Sequence, residues 1–581
     1  MRRRTWAGLG IGATATLAAT AVLNGVVAPS GSLVGDVLDL PAAAATELEP
    51  FAGCEELRQW YVDAALPHVT AWGLGGGPVM PLAVAEARAT LDSAAQADAA
   101  GKAVSNGPTG TNVQEAGVDE PDVAKTDGSL VAHVKGDRVV LNDVTGEEPR
   151  KLSTVPLPRD FGSTEVLLVG DRLVVLGTVW QHWGGPIAAD EMPGRSILPY
   201  DGSQGMTRAV VVDVSDPSSP RVVDDTSFDG SLVSARQYDD VVRLVLSTSS
   251  PRIDFVQPRR GRTPREAKAE NRRLVRESTI EDWLPRVESD DSSSALVDCQ
   301  DVAHPETSSG YGTVSVVAFD PAEPDARRTT GVTTSSDLVY SSTDRLYLAA
   351  SPFGWWVGRR KEPPTTGVHA FALDGLDTDY VASGDVPGQV RDRWSMSEYD
   401  GHLRVATALG KSSWDPDENA VVVLEERAGS LVEVGRVGRM GIREQIQSVR
   451  WFDEVAVVVT FRQVDPLYTL DLSDPTRPRV VGELKIRGFS SYLHPVGGDL
   501  IVGLGQDATG RGRTLGAQAA VFDLADLADP RRVDTLRFGR NTEFAASWDP
   551  RAFTYLADRR TLLATLGNWN GPDRVVVLRV G

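Results

Sequence analysis

Short runs of alternating hydrophobic and polar residues, typical of β-strands, fill most of the chain, and Asp, Gly and Pro separate them. From residue 109 onward one pattern recurs: a strand rich in Val and Ala, a turn, a second short strand, and then a hairpin. The first strands are predicted at Arg138–Asp143, Arg208–Val214, Thr313–Phe319, Gly367–Leu373, Ala420–Glu426, Leu467–Ser473, Ala519–Ala525 and Arg574–Val580. The hairpins begin at Asp122, Thr164, Ser234, Ser336, Ser395, Ser448, Ser491 and Phe553.

This repeat predicts an all-β fold, a β-propeller built of four-stranded blades. Counting the units predicts eight blades, with seven as the alternative if one weaker unit is a long loop. Because the chain begins with a hairpin at Asp122 and ends with a first strand at Val580, we predict one blade shared by the N- and C-terminal strands. Thr111–Ala116 is expected to supply its remaining strand. Such pairing would close the ring and remove exposed sheet edges.

The repeats open with a stretch that we name the seam, Thr109–Gly128, which reads TGTNVQEAGVDEPDVAKTDG. Its acidic side chains suit calcium, but Pro121 and Lys125 occupy positions where ligands or neutral residues would be needed. We therefore prefer a structural role to a metal or other cofactor. The residues predicted to act in ring closure are Thr111, Asp119, Asp122, Asp127, Gly128, Val576 and Leu578.

The pattern of charged and apolar residues at the N-terminus indicates that the protein is exported. Met1-Arg2-Arg3-Arg4 precedes a long uncharged run rich in Ala and Leu within residues 1–45, which is typical of a signal peptide and long enough to remain as a membrane anchor. We expect a protein that is secreted or held at the extracellular face of the membrane, touching the membrane only through this segment. We predict a short helix and a linker for residues 46–108. We predict the propeller for residues 109–581, with a helix-containing insertion at 251–299.

The chain has two cysteines, Cys54 and Cys299. Since export places them in an oxidising compartment, we predict a disulfide that ties the N-terminal segment to the propeller. Two unpaired thiols are the alternative.

The net charge and the absence of catalytic motifs limit the classes of function that the sequence supports. The formal net charge of −21 would repel a phosphate backbone, so we expect no nucleic-acid partner. The sequence contains no H-E-x-x-H, G-x-S-x-G or Walker motif, and its seven histidines are scattered without metal-ligand spacing. We therefore assign no catalytic residue and no metal site from the sequence.

Tryptophans in predicted loops are the candidate ligand-binding residues: Trp180, Trp183, Trp355 and Trp356. Loop aromatics can stack on sugar rings or anchor a protein partner, although they can also cap a hydrophobic core. We predict a monomeric, non-enzymatic module that binds an extracellular protein or a cell-wall glycan. The alternative is an exported glycan-active hydrolase or lyase with carboxylates at the central channel.

Several motifs resemble the exported β-propeller domain family of bacteria and archaea, which is distantly related to WD-40 repeats. They are the seam, Phe51–Leu57 (FAGCEEL), Cys299–Pro305 (CQDVAHP), and an Asp-x-Ser-Asp-Pro turn at Asp213–Pro217 and Asp471–Pro475. The resemblance covers about Phe51 to the C-terminus. It implies a secreted propeller with an N-terminal cysteine segment and transfers no catalytic residue.

Overall fold

The computed structural model describes residues 47–74, 111–158, 161–162, 164–181, 204–249, 251–289, 292–306, 310–334, 336, 338–350, 364–410, 416–462, 465–510 and 512–581. Its α-helices are Cys54–Ala65 and Pro264–Glu277. Short 3-10 helices lie at Leu66–His68, Ile280–Asp282, Cys299–Asp301, Arg393–Ser395, Ala545–Ser547, Pro550–Ala552 and Ala557–Arg559. Within these described ranges, no helix is long and apolar enough to cross a bilayer.

The strands of the repeat region form eight groups that follow one another along the described chain. Group 1 contains Ala124–Thr126, Leu130–Val134, Arg138–Asp143 and Arg150–Pro156. Group 2 contains Glu165–Val169, Arg172–Gln181, Gln204–Asp213 and Arg221–Asp229. Group 3 contains Ser231–Tyr238, Val241–Thr248, Thr313–Phe319 and Arg328–Val332. Group 4 contains Leu338–Ser341, Arg345–Ala350, Thr365–Asp374 and Asp377–Pro387.

The second half of the chain continues the same arrangement. Group 5 contains Met396–Tyr399, His402–Leu409, Glu418–Arg427 and Ser430–Met440, with the short strand Gln389–Val390 beside its second strand. Group 6 contains Gln445–Phe452, Val455–Phe461, Asp465–Asp471 and Arg479–Ile486. Group 7 contains Phe489–Pro495, Leu500–Ala508, Thr514–Asp523 and Arg531–Gly539. Group 8 contains Phe553–Leu556, Thr561–Asn568 and Arg574–Arg579, with Thr542–Phe544 beside its second strand.

Successive strands within each group are antiparallel, so their connections alternate between two ends. The first-to-second and third-to-fourth connections lie at one end, named the turn end. Tight turns rich in Asp and Gly close it, as at Asp400 and Gly401, which both have positive φ and so favour short hairpin turns. The second-to-third connections and the links to the next group lie at the opposite end, named the insertion end.

Consecutive groups pack face to face. Hydrophobic clusters of buried residues join groups 1 and 2, 2 and 3, 3 and 4, 4 and 5, 5 and 6, 6 and 7, and 7 and 8. The alternation of residues along each strand explains this, because side chains on both faces of a sandwiched sheet must be apolar. Between group 8 and group 1 the described residues share no such cluster.

Additional strands cover two outer sheet edges. Arg286–Ser289 and Ser292–Ala295 extend group 2, whereas Val302–His304 and Glu49–Pro50 extend group 3. Groups 4 and 5 meet through a single parallel bridge. Covering an edge strand removes unpaired backbone groups that would otherwise pair with other chains.

The N-terminal helix and the insertion helix form one lobe with their own hydrophobic core. The insertion helix begins at a capping box in which the Thr263 side chain and Glu266 bond each other's backbone N–H groups. A short hairpin, Val69–Thr70 with Gly73–Leu74, lies beside it. The predicted disulfide between Cys54 and Cys299 is present, with Cα atoms 5.1 Å apart. It ties the N-terminal helix to the insertion.

The predicted strand exchange between the termini is wrong. The last strand pairs with Thr561–Asn568 inside group 8, where Val576 faces Ala564 and Leu578 faces Leu562. The first hairpin likewise pairs with the strand that follows it, and residues 111–116 form no strand. The repeat unit begins with its hairpin, so the main strands of each group follow one another along the chain.

Candidate functional site

The seam contacts the last groups of the chain first. The Asn112 Nδ2 donates hydrogen bonds to the hydroxyl of Tyr492 in group 7, at 2.9 Å, and to the carbonyl of Pro550, at 3.1 Å. Pro550 lies just before the first strand of group 8. The amide of one early residue therefore joins two groups whose sequence positions are several hundred residues away.

The next seam residues contact groups 5 and 4. The Gln114 Nε2 donates to the carbonyl of Arg393, at 3.1 Å, in the short helix that precedes the first strand of group 5. Glu115 Oε1 accepts a hydrogen bond of 2.8 Å from the hydroxyl of Tyr340 in the first strand of group 4.

The seam then contacts groups 3 and 2. Asp119 exchanges two backbone hydrogen bonds of 2.9 Å with Gln237, and Asp122 exchanges two of 3.1 and 2.7 Å with Val166. Along the seam the contacts thus pass from groups 7 and 8 to 5, 4, 3 and 2, the reverse of chain order. The seam therefore runs past the first strands of these groups.

A buried ion pair fixes the seam to group 5. The Glu120 carboxylate receives two hydrogen bonds from Arg393, at 2.7 and 2.6 Å, and Arg236 of group 3 lies 3.8 Å away. Glu120 is only 2% exposed. Burial opposes its ionisation, but the charges of Arg236 and Arg393 and the hydrogen bonds from Arg393 and the backbone N–H of Gln114 outweigh burial and lower the pKa of Glu120 to about 2.

A second buried hydrogen-bond network joins residues within the seam. The Lys125 ammonium, 1% exposed, donates to Asp119 Oδ1 at 2.8 Å and to Thr111 Oγ1 at 2.6 Å. Thr111 in turn donates to Asp122 at 3.2 Å. Burial lowers the pKa of Lys125 and raises that of Asp122 to about 6. Three of the predicted ring-closure residues, Thr111, Asp119 and Asp122, therefore share one hydrogen-bond network with Lys125.

Arg551, which lies just before the first strand of group 8, joins that group to the seam and to group 2. Its guanidinium donates to the carbonyl of Pro121 at 2.9 Å and to Glu165 of group 2 at 2.6 Å, while Asp549 accepts from its Nε at 2.9 Å. Because groups 8 and 1 share no hydrophobic cluster among the described residues, polar bonds of the seam and Arg551 connect the two ends of the repeat array.

Two carboxyl groups with raised pKa lie near Tyr340. Burial raises the pKa of Glu115 to about 7 and also raises that of Glu398. The Tyr340 hydroxyl donates to Glu115 and accepts a hydrogen bond of 2.7 Å from the backbone N–H of Glu398. The Glu398 carboxylate accepts one of 2.6 Å from Ser342. These groups lie at the turn end of groups 4 and 5.

The remaining ring-closure candidates occupy separate places. Asp127 and Gly128 form the turn of the first hairpin, where Asp127 Oδ1 accepts hydrogen bonds from the backbone of Ser129 and Leu130. Val576 and Leu578 lie in the last strand and do not contribute to a sheet with the seam.

The sequence-predicted tryptophans are only partly within the described chain. Trp180 lies near the end of the second strand of group 2. Trp183, Trp355 and Trp356 fall outside the described residues. This strand end places Trp180 at the insertion end of group 2.

Two further tryptophans that were not predicted as ligand-binding residues are exposed. Trp548 is 37% and Trp569 is 67% exposed. Trp569 follows the second strand of group 8, and Trp548 lies in the connection between groups 7 and 8, so both are at the insertion end. Trp569 closely follows the hairpin predicted from Phe553, which was the signal available for it in the sequence, whereas Trp548 follows no predicted strand.

Within the described part of the chain, no group of three or more His, Cys, Asp or Glu side chains is placed to hold a metal ion. The acidic side chains of the seam instead bond Lys125, Arg393 and backbone N–H groups.

A profile of the family described as "Beta propeller domain" matches residues 108–571. The chain therefore belongs to this β-propeller family. It is also 37% identical over 195 residues to an uncharacterized protein of Archaeoglobus fulgidus, covering 33% of this chain and 29% of that protein. An uncharacterized protein of Methanocaldococcus jannaschii is 37% identical over 170 residues, covering 29% and 26% respectively. The chain thus aligns with less than a third of the length of each relative.

Membership of the β-propeller family implies that the turn ends of all groups lie on one face and the insertion ends on the other. In a propeller the sheets repeat around a central axis, so equivalent connections lie on the same face. The insertion ends therefore form one face, named the insertion face, and the turn ends form the other, named the turn face.

Proposed function

We propose that the protein is an extracellular or cell-surface scaffold, an eight-bladed propeller that binds a protein or glycan of the cell envelope. Each group of strands is one blade in this proposal, and the seam holds the ring closed from its inner side. The export pattern at the N-terminus supports the location. The disulfide between Cys54 and Cys299 is consistent with an oxidising compartment.

The observation that carries the binding role is the separation of aromatic side chains from the seam. Trp548 and Trp569 are exposed on the insertion face. Loops on a rigid scaffold are the usual place for recognition residues. The inner side of the blades, in contrast, is bonded to the seam. A ligand is therefore expected on the insertion face.

Binding to isolated envelope fractions and to a glycan array tests this function. The double variant W548A/W569A should lose most of the binding, because exposed aromatic rings commonly dominate such contacts. V222A/V223A is the matched control, since these valines are 54% and 48% exposed at the turn end. Equal binding by both variants, or equal loss, would contradict a ligand site on the insertion face.

A specific observation also favours a second candidate, a glycan-active hydrolase. Glu115 has a pKa raised to about 7 by burial, which suits a proton donor at neutral pH, and Glu398 is a neighbouring carboxylate that could act as base or nucleophile. Hydrolysis of a polysaccharide panel tests this role. Activity that E115Q and E398Q abolish while the melting temperature stays near that of the wild type would support it, and no hydrolysis by the wild type would refute it.

A further inference from the structure

Exposed arginines concentrate on the insertion face of groups 6 to 8. Arg462 follows the second strand of group 6, Arg487 links groups 6 and 7, Arg513 precedes the third strand of group 7, and Arg540 links groups 7 and 8. All four side chains are exposed. None forms an ion pair with a described carboxylate. Arg462 still interacts electrostatically with the Glu444 carboxyl, so the charges of Arg487, Arg513 and Arg540 are the ones most available to a ligand.

The opposite face of groups 6 and 7 is acidic. Its connections contain Asp453, Glu454, Asp474, Asp499, Asp526 and Asp529. The basic residues there are mostly paired locally, as Arg477 with Asp474 at 2.7 Å. In a protein with a net charge of −21, a basic arc limited to one face is a specific feature, and the acidic turn face would direct an anionic ligand away from itself.

The two exposed tryptophans lie at the end of this basic arc. The backbone N–H of Trp569 donates a 3.0 Å hydrogen bond to the carbonyl of Asn541, the residue next to Arg540. Trp548 lies in the connection that follows Asn541. The guanidinium groups are therefore followed by two aromatic rings along one rim.

Each component recognises a different part of an anionic sugar polymer. Guanidinium groups bind carboxylate or phosphate oxygens through paired N–H donors, and an indole ring stacks on the apolar face of a sugar. The spread of the arginines over three consecutive groups suits an extended ligand with repeated charge better than a compact one.

We propose that the arc formed by Arg462, Arg487, Arg513, Arg540, Trp548 and Trp569 binds an anionic polysaccharide. This inference rests on the proposed binding role of the insertion face and adds the ligand's chemistry. Salt weakens the binding, because each arginine that contacts a charged group displaces counterions.

Affinity electrophoresis and titration calorimetry with polygalacturonate, using neutral dextran as the comparison polymer, test the inference. R487Q/R513Q/R540Q should weaken polygalacturonate binding by at least about tenfold and reduce its salt dependence. R477Q/R479Q/R531Q is the matched control, because it removes the same charge from turn-end side chains that are 81%, 67% and 69% exposed. This control should bind like the wild type. Equal weakening by both variants would overturn the proposal.

Two further arms separate the inference from the proposed function. If dextran binds as tightly as polygalacturonate and W548A/W569A alone abolishes both, the insertion face binds glycans but the anionic preference is wrong. If the wild type binds single-stranded DNA or vesicles of phosphatidylglycerol and phosphatidylcholine as tightly as polygalacturonate, the arc is a general anion surface and the proposal fails. Binding to polygalacturonate alone, lost in the arginine variant, supports it.

Discussion

Replacing Arg393 with Met breaks the buried ion pair between Glu120 of the seam and group 5. The substitution retains most of the unbranched apolar stem, and Arg393 is only 7% exposed. It leaves the Glu120 carboxylate buried, with Arg236 at 3.8 Å as the nearest remaining cation. Removing one partner of a buried pair costs about 3–5 kcal/mol, because the other charge stays uncompensated. The lost hydrogen bond to Gln114, 2.9 Å in length, adds about 1 kcal/mol.

Guanidinium denaturation followed by tryptophan fluorescence measures the effect. R393M should lower the free energy of unfolding by about 4–6 kcal/mol, and adding E120Q should restore part of it, because the buried charge is then gone. R436M is the control, since its partner Glu433 belongs to a surface pair with side chains 41% and 35% exposed and should matter by less than about 1 kcal/mol. If R393M loses no more stability than R436M, the seam does not hold the ring through this pair.

Three further predictions concern other parts of the fold. Since the pKa of Glu120 is lowered to about 2, its stabilisation is complete above the unfolded pKa of about 4.3 and is lost as pH falls towards 2; acid titration of stability should be shallower in E120Q, and parallel curves would contradict this. C54A/C299A opens a disulfide with a sequence separation of 245 residues and should cost roughly 2–5 kcal/mol by thermal melting, whereas an unchanged melting temperature would exclude a stabilising disulfide. L578A, in the cluster between groups 7 and 8, should cost about 2–5 kcal/mol, while V575A, 58% exposed, should change little; equal effects would refute the packing of the last strand.

The sequence pattern predicted the strands well because hairpins depend on neighbouring residues. The predicted strands Arg138–Asp143 and Thr313–Phe319 are found with the same bounds, and the other first strands differ at their ends by a few residues. The pattern did not reveal which sheet the last strand joins, because a strand with apolar residues on both faces fits beside either hairpin. Only the three-dimensional pairing at Leu562 and Leu578 decides this.

The candidate site was harder to predict, because it depends on residues far apart in sequence. The acids of the seam were visible, but the partner of Glu120 lies 273 residues away. Charge alone could not distinguish a metal site from buried ion pairs. Likewise, Arg462, Arg513 and Arg540 lie in short connections that look ordinary one at a time. Their shared face follows from the order of strands in each sheet.

Hydrogen exchange in N112A/Q114A tests most directly whether the seam holds the ring together. Both substitutions remove side-chain bonds to distant groups, 380 residues away at Tyr492 and 279 at Arg393. We expect faster amide exchange in Met396–Tyr399 and Phe489–Pro495, the first strands of groups 5 and 7, because these strands lose their inner contacts. Faster exchange confined to the first hairpin of group 1, with these two strands unchanged, would contradict a seam that closes the ring.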